Sequence, residues 1–390
     1  MDTNKKGILT FYTLSAFYWF AFYSFGSTLA THAESLGLSE SVIGLIVGSY
    51  GLAQVIFRIP VGILSDSFNK RRIFIGLGLF LCAVSCFGLG QAQGATGLLL
   101  FRTLSGVAVA SYVVFPSYAT NTLGGKDLHK VTGMLSALGQ TGRVIALMAG
   151  SLLAMLVGSV WSFYVGAIAA VIGLILWFWI PRDPVRETKE KVSVKHLFSV
   201  IRDRNLLISS LLTIILQFNV FATIYSFIPI YARSLHMNDF SIGLLTASFT
   251  LSGIVSAILG FSVFKKKFGV RNTITASFIL SGIVILLFPY TENITLLFVL
   301  QLLNGFFMGL LLPMLMAQAL KTVNPERSAA AMGFYQAIYG IGMFSGPFIV
   351  GVIIENGNIK NGFFAVFIIS IIGALATYIY KRSDMKNGLA

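Results

Sequence analysis

Three arginines stand inside otherwise apolar stretches of this 390-residue sequence: Arg58, Arg102 and Arg143. A charge at the centre of a bilayer costs roughly 2.5 to 3.5 kcal/mol on insertion scales, so such residues mark functional places by default. A guanidinium there can hold a carboxylate or phosphate through paired hydrogen bonds, or it can secure helix carbonyl groups and a gate. Arg58 falls about two helical turns from one end of its stretch, which suits a gate. Arg102 lies toward the opposite side, and Arg143 is near the middle of its stretch with Gln140 one turn away. No stretch carries a carboxylate at its midsection. This asymmetry predicts a basic N-terminal side of a polar chamber and an anionic or zwitterionic organic substrate.

Neutral hydrogen-bonding groups occupy the corresponding depth in the second half of the chain: Gln217, Asn219, Asn304, Tyr335, Gln336 and Tyr339. Aromatic residues crowd the first apolar stretch at Phe17, Tyr18, Trp19, Phe22 and Tyr23, and Tyr18 is counted with the candidate substrate contacts. Rings with polar edges suit an amphipathic or ring-containing solute. The competing reading for the amides is hydrogen bonding between helices, and for the rings it is packing against helices or lipid.

The elements that must carry these residues are long and apolar. Of all residues 56% are hydrophobic and 11% charged, whereas roughly a quarter of a soluble domain is charged. Runs near the length needed to cross a bilayer core, roughly 20 residues, cover 8–30, 42–65, 73–92, 96–123, 131–157 and 161–180. A charged segment follows at 181–204 and carries Arg182, Asp183, Arg186, Glu187, Lys189, Glu190, Lys191 and Lys195. Six further runs follow at 206–231, 241–264, 273–290, 295–320, 328–354 and 362–380. The expected organisation is a first bundle over 1–180, a linker over 181–204 and a second bundle over 205–390. The first run, preceded by Lys5 and Lys6, is longer than a signal-peptide core and reads as a retained helix.

Net charge is +14, and its distribution decides its meaning. Basic residues gather in alternate connections, at Lys70, Arg71 and Arg72, at Lys126 and Lys130, in the central segment, and at Lys265, Lys266 and Lys267. The intervening connections carry Arg233 and Lys360, with Glu34, Glu40, Asp239, Glu292 and Glu355 in or beside them. Positive charge flanking membrane helices on one side marks the cytoplasmic face. Both termini are therefore expected in the cytoplasm, in a multi-pass plasma-membrane protein whose charge serves topology and not nucleic-acid binding.

The two halves also match each other. AESLGLSESVIGL from Ala33 aligns without gaps on ARSLHMNDFSIGL from Ala232, an offset of 199. At that offset Arg102, Ser105 and Gly106 meet Gln301, Asn304 and Gly305, and at 200 Gly142 meets Gly342. A steady offset over several helices indicates duplication of a six-helix unit. Such repeats place a solute site at their interface and expose it alternately to each side by rocking.

Between the second and third runs lie Gly62, Asp66, Asn69, Lys70, Arg71 and Arg72. This stretch resembles the loop motif of the major facilitator superfamily: glycine, three residues, aspartate, a basic residue, any residue, glycine and two basic residues. Ser67 and Asn69 depart from it, although Asn tolerates a left-handed turn much as Gly does. The fourth run, with Arg102, Gly106 and Ala110 on one face, resembles a second family motif. The resemblance implies two pseudo-symmetric six-helix bundles in an all-α membrane protein that moves a small solute by alternating access. It also implies a gating role for the loop motif, in which Asp66 latches the halves through a charge-assisted hydrogen bond that breaks in each cycle. The second copy, from Gly260 through Lys265 to Gly269 and Arg271, has no acid.

The eleventh run holds Gly333, Gly340, Gly342, Gly346, Pro347 and Gly351, similar to the glycine-proline motif that antiporters of the family carry on helix five. Here helix five has Ala146 and Leu147 where the repeat would place the Gly-Pro pair. With the aromatic lining, the resemblance implies an efflux carrier working as a monomer, and the alternative is an importer of an organic acid or sugar derivative. A receptor that retained the fold is the reading from another class. An enzyme would need a cluster of acids, histidines or cysteines, yet His32, His129, His196 and His236 are scattered near run ends and in loops. Cys82 and Cys86, four apart on one helix, read as packing residues. No phosphate-binding Gly-Lys-Ser/Thr loop is present, which argues against direct ATP drive. No cofactor or metal is expected; the driver is Asp66, a substrate carboxylate or a histidine such as His32 carrying a coupled proton, or there is no coupled ion at all.

Overall fold

The computed structural model describes residues 3–123, 128–184, 203–323 and 328–386. Lys126 and most of the expected linker, 185–202, lie outside the described residues. Ten stretches are long and apolar enough to cross a bilayer. One of them, Asp239–Tyr290, breaks at Gly269 (φ 76°) and makes two passes. With the helix at the start of the chain there are twelve passes among the described residues.

The helices are α1 (Thr3–Tyr23, continued after a break by Leu29–Ser35), α2 (Glu40–Ser67), α3 (Arg71–Gln91), α4 (Ala95–Asn121), α5 (Leu128–Val157) and α6 (Val160–Trp179). The second set is α7 (Arg204–Ser234), α8 (Asp239–Leu259), α9 (Lys265–Leu287), α10 (Ile294–Ala319), α11 (Ser328–Glu355) and α12 (Ile359–Lys386). Several spans that read as continuous in sequence are irregular, α4 among them with a 3-10 turn at Ser111–Val113. In α1 the helix opens at residues 24–28, where Gly26 weakens it and the Thr28 hydroxyl bonds Ser162 of α6 at 2.7 Å. In α7 a π-helical turn, Thr223–Phe227, precedes Pro229. The loop expected between 264 and 273 is largely helical and turns only at Gly269.

The duplication is visible in three dimensions. Asn69 (φ 48°) turns the chain between α2 and α3 as Gly269 does in the second half, so the asparagine supplies the left-handed turn expected of it. Gly37 (φ 73°) and His236 (φ 60°) form a second pair at the repeat offset. Gly106 of α4 abuts the Tyr50 carbonyl of α2, and Gly305 of α10 abuts the Phe249 carbonyl of α8; neither leaves room for a Cβ. Between the bundles the same reciprocity holds: Gly44 of α2 meets Pro347 of α11, and Gly243 of α8 meets Leu147 and Ser151 of α5.

Each bundle has six helices, and the acids and basic residues define two ends. The basic end carries Lys70, Arg72 and Lys265 to Lys267; the acidic end carries Glu34, Glu40, Asp239, Glu292 and Glu355. From the acidic end to mid-depth the bundles are in close contact, with Gly44, Gly48 and Gly51 of α2 against the α11 backbone and Gly351 against the Glu40 carbonyl. Glycine faces let backbones approach where lipid supplies no hydrophobic drive. Polar links reinforce this end: the Ser41 N–H donates to Glu355 Oε2 (3.0 Å), and Arg233 Nη1 donates to the Thr31 carbonyl (2.9 Å). Arg233 also pairs with Asp239 of its own bundle. The last side-chain hydrogen bond across the interface toward the basic end is Gln54 Nε2 to Met343 Sδ (3.6 Å) among the described residues. Beyond it, Gly133 of α5 and Gly333 of α11 face open space. The central cleft is therefore unbridged by side-chain hydrogen bonds toward the basic end among the described residues.

Candidate functional site

At the floor of that cleft the two bundles meet through rings. The Tyr50 ring of α2 stacks on Phe221 of α7 (6.0 Å, 18°), and Tyr23 of α1 meets Tyr225 of α7 (5.8 Å). Phe221 and Tyr225 are four apart, with Gln217 one turn earlier, so α7 presents all three on one face. Gln217 is 8% exposed and forms no hydrogen bond among the described residues.

The guanidinium groups flank this aromatic floor. Arg102 of α4 lies over the Tyr50 ring at 4.3 Å and near Phe25 at 5.4 Å. It is 7% exposed, and its Nε and Nη1 have no hydrogen-bond partner. Arg143 of α5 lies over Tyr23 at 4.0 Å and near Trp19 at 5.8 Å, half-buried, with an unpartnered Nε. Desolvated cation–π contacts contribute about 2 kcal/mol each. The penalty for burying an ion is several kcal/mol. Rings alone therefore leave both charges under-compensated. Gln140, one turn from Arg143 toward the basic end, is half-buried.

Arg58 sits nearer the basic end. Its Nη1 donates to Gln54 Oε1 (2.8 Å), and its guanidinium is 6.0 Å from the Tyr339 ring across the interface. Tyr339 in turn meets Tyr335 edge to face. Gln336 is half-buried on α11, one turn before Gly340, which packs on α2.

Other predicted contacts are turned into their own bundles. Tyr18 donates its hydroxyl to the Ala108 carbonyl of α4 (2.9 Å) and is fully buried. Asn219 donates to Ser370 of α12 (2.8 Å), on the side of α7 away from Phe221. Tyr335 bonds Thr213 (2.7 Å). Asn304 is fully buried, as is Gln301 one turn away, and neither amide has a partner. The structure thus gathers Arg102, Arg143 and Gln217 around the floor, with Arg58, Gln336 and Tyr339 at the interface below. It places Tyr18, Asn219 and Tyr335 in helix contacts. Tyr50, Phe221, Tyr225 and Gln54 were missed by sequence reasoning; the only available signals were the four-residue spacings Gln54/Arg58 and Phe221/Tyr225.

In this conformation the loop motif is tied within its own bundle. Asp66 pairs with Arg71 at 2.6 Å, within its own bundle. Arg71 also donates to Asn69 (2.8 Å) and Ser117 (3.2 Å). The Arg72 N–H donates to Asp183 (2.9 Å), while its guanidinium stacks on Trp177 (4.6 Å) and donates to the Trp177 and Phe178 carbonyls. Lys70 is exposed, and Gly62 faces Val113 of its own bundle. No contact between bundles is made by this motif among the described residues.

Twelve apolar helices in two matching bundles, closed at one end around a charged and aromatic chamber, define a solute carrier of the alternating-access class. The chain belongs to the Major Facilitator Superfamily, whose model matches residues 11–259 and 211–388. It is 28% identical over 360 residues to an uncharacterized MFS-type transporter of Methanocaldococcus jannaschii, covering 90% of this chain and 92% of that one. It is 24% identical over 366 residues to the quinolone resistance protein NorA of Staphylococcus aureus, covering 92% of each. Among solved structures, a bacterial homologue of the lysosomal transporter Spinster, inward-facing, superposes with TM-score 0.82 at 16% identity, covering 99% of this chain and 98% of that one. The nucleoside transporter NupG does so with TM-score 0.74 at 19% identity, covering 98% and 99%. At these identities the structures share the fold.

Proposed function

We propose that this transporter exports a ring-containing organic anion or zwitterion from the cytoplasm, with the solute's anionic group held by Arg143. The observation that carries the reading is Arg143 itself: a half-buried guanidinium beside Tyr23, at the floor of the central cleft, with no carboxylate partner among the described residues. The rings of Trp19, Tyr23 and Tyr225 supply flat apolar surface, and Gln217 and Gln140 supply neutral hydrogen bonds. The basic end is the cytoplasmic one by the positive-inside argument, so the cleft loads from inside. Kinship with a protein named for quinolone resistance supports export; a quinolone combines a carboxylate with a fused ring and is a fitting first probe. The membrane is the plasma membrane and the working unit a single chain. A proton is the proposed coupling ion.

The test is quinolone flux in proteoliposomes with an imposed pH gradient. Arg143→Gln is expected to lower flux at least tenfold, and Arg143→Lys, which keeps charge but loses the planar fork, to lower it less. Unchanged flux in Arg143→Gln would remove the anion reading. Flux indifferent to the pH gradient would remove proton coupling while leaving the substrate assignment standing.

A further inference from the structure

Arg102 differs from Arg143 in the space that it faces. It lines a pocket together with Phe22, Tyr23, Gly26 and Leu29 of α1, Tyr50 of α2, and Phe221 and Tyr225 of α7. The pocket has room for about one water molecule, too little for any organic solute. It contains no carboxylate, and its only charge is a guanidinium whose Nε and Nη1 have no hydrogen-bond partner. An arginine does not escape this burial by losing its proton. A buried cation without a counter-charge is strongly destabilising, and the stacked Tyr50 ring offsets only part of that cost.

We propose that the Arg102 pocket holds a single small monovalent anion, of the size and charge of chloride, while the acidic end is closed. Chloride is a little larger than a water molecule and accepts hydrogen bonds from a guanidinium, here from the unpartnered Nε and Nη1; the other hydrogen-bonding side chains of the lining are Tyr23, Tyr50 and Tyr225. The pocket is assembled from both bundles, since Phe221 and Tyr225 belong to the second and the remaining residues to the first. Parting of the bundles at the acidic end would remove two walls and release the ion to solvent. The anion therefore binds one conformer better than the other, and a ligand with that preference shifts the population toward it. At a chloride concentration ten times its dissociation constant the closed population rises about tenfold over the anion-free ratio. The inference rests on the alternating-access reading but not on the identity of the organic substrate, which is assigned to Arg143 and the central cleft.

The experiment uses purified, substrate-free protein in lipid nanodiscs at constant ionic strength, with sodium chloride, bromide or gluconate. Spin labels at Ser35 and His236, exposed residues at the acidic end of the two bundles, report the separation on a background with Cys82 and Cys86 replaced. Chloride and bromide are expected to raise the short-distance fraction and the melting temperature relative to gluconate, which is too large for the pocket. Arg102→Gln is expected to abolish both responses, Arg102→Lys to weaken them, and Arg143→Gln to retain them while losing organic flux. Identical wild-type behaviour in chloride and gluconate overturns the proposal, whether or not the Arg102 variants fold. A chloride response that persists in Arg102→Gln overturns it equally. Loss of organic flux in Arg143→Gln with no chloride effect anywhere leaves the substrate reading intact and removes only the anion.

Discussion

The two bundles share a backbone plan and differ in the chemistry mounted on it. Gly106 on the Tyr50 carbonyl and Gly305 on the Phe249 carbonyl are the same contact made twice, as are Gly44 on Pro347 and Gly243 on Leu147. Three residues before each of Ser105 and its counterpart Asn304, the first bundle carries Arg102 and the second Gln301. Arg102 faces the ring-lined pocket between bundles, whereas Gln301 is sealed in its own bundle with both amide atoms unpartnered. Close backbone contacts tolerate no added atom, so both copies keep them. A polar side chain is free to diverge once one copy suffices for binding. The basic ends show a similar contrast: Arg72 stacks on Trp177 at 4.6 Å and Arg271 on Tyr378 at 4.3 Å, each donating to carbonyls of the last helix of its bundle. Only the first copy adds an acid, Asp66.

The comparison breaks most readily at the shared glycines. Gly106→Leu and Gly305→Leu should each destabilise by about 1–3 kcal/mol through overpacking, seen as matching falls in melting temperature and expression. A fall in one bundle alone would show that the contacts are not equivalent. The interface comes next. Arg233→Gln removes the donor to Thr31 and the partner of Asp239, and losing a charge-assisted hydrogen bond of about 1.5–3 kcal/mol should shift the population toward an open acidic end by tenfold or more. Distance distributions between Ser35 and His236 check this; no change would mean that the glycine faces alone hold the closure. The smallest effect is expected at Gln301. An unpartnered buried amide costs about 1–3 kcal/mol, so Gln301→Leu should leave melting temperature unchanged or raise it by a few degrees, with flux retained. The corresponding Arg102→Leu should lose the chloride response, which would sharpen the division of labour between the halves. A large loss of flux in Gln301→Leu would place that amide in the transport route.

Much of this was legible without coordinates. The twelve spans, the duplication at an offset near 200, and the left-handed turn at Asn69 all follow from the sequence, because apolar length and backbone conformation are local properties. The unpaired arginines were legible for the same reason: a charge in an apolar run stands out regardless of its neighbours. The fate of the neutral residues was not. Tyr18, Asn219 and Tyr335 look as suitable for a solute as Gln217 does, and about half a turn of helix phase decides which of them faces a neighbouring helix. Asp66 pairs with Arg71 in this conformation; a partner across the halves would depend on how far they have parted, and a rocking angle leaves no trace in composition or spacing.

What the amino-acid order by itself determined is the inventory: twelve membrane-crossing helices, two copies of one plan, and basic groups in the apolar part of only the first copy. What the tertiary structure decided is which of those groups share a space. It closed the acidic end, stacked Tyr50 on Phe221, and set Arg102 in a pocket for one small particle while leaving Arg143 at the central cleft. The physical reason is range. Burial in lipid and helix formation act within a segment, but the pairing of a side chain with a cavity depends on the relative rotation and tilt of helices far apart in the chain, fixed by close packing over the whole interface.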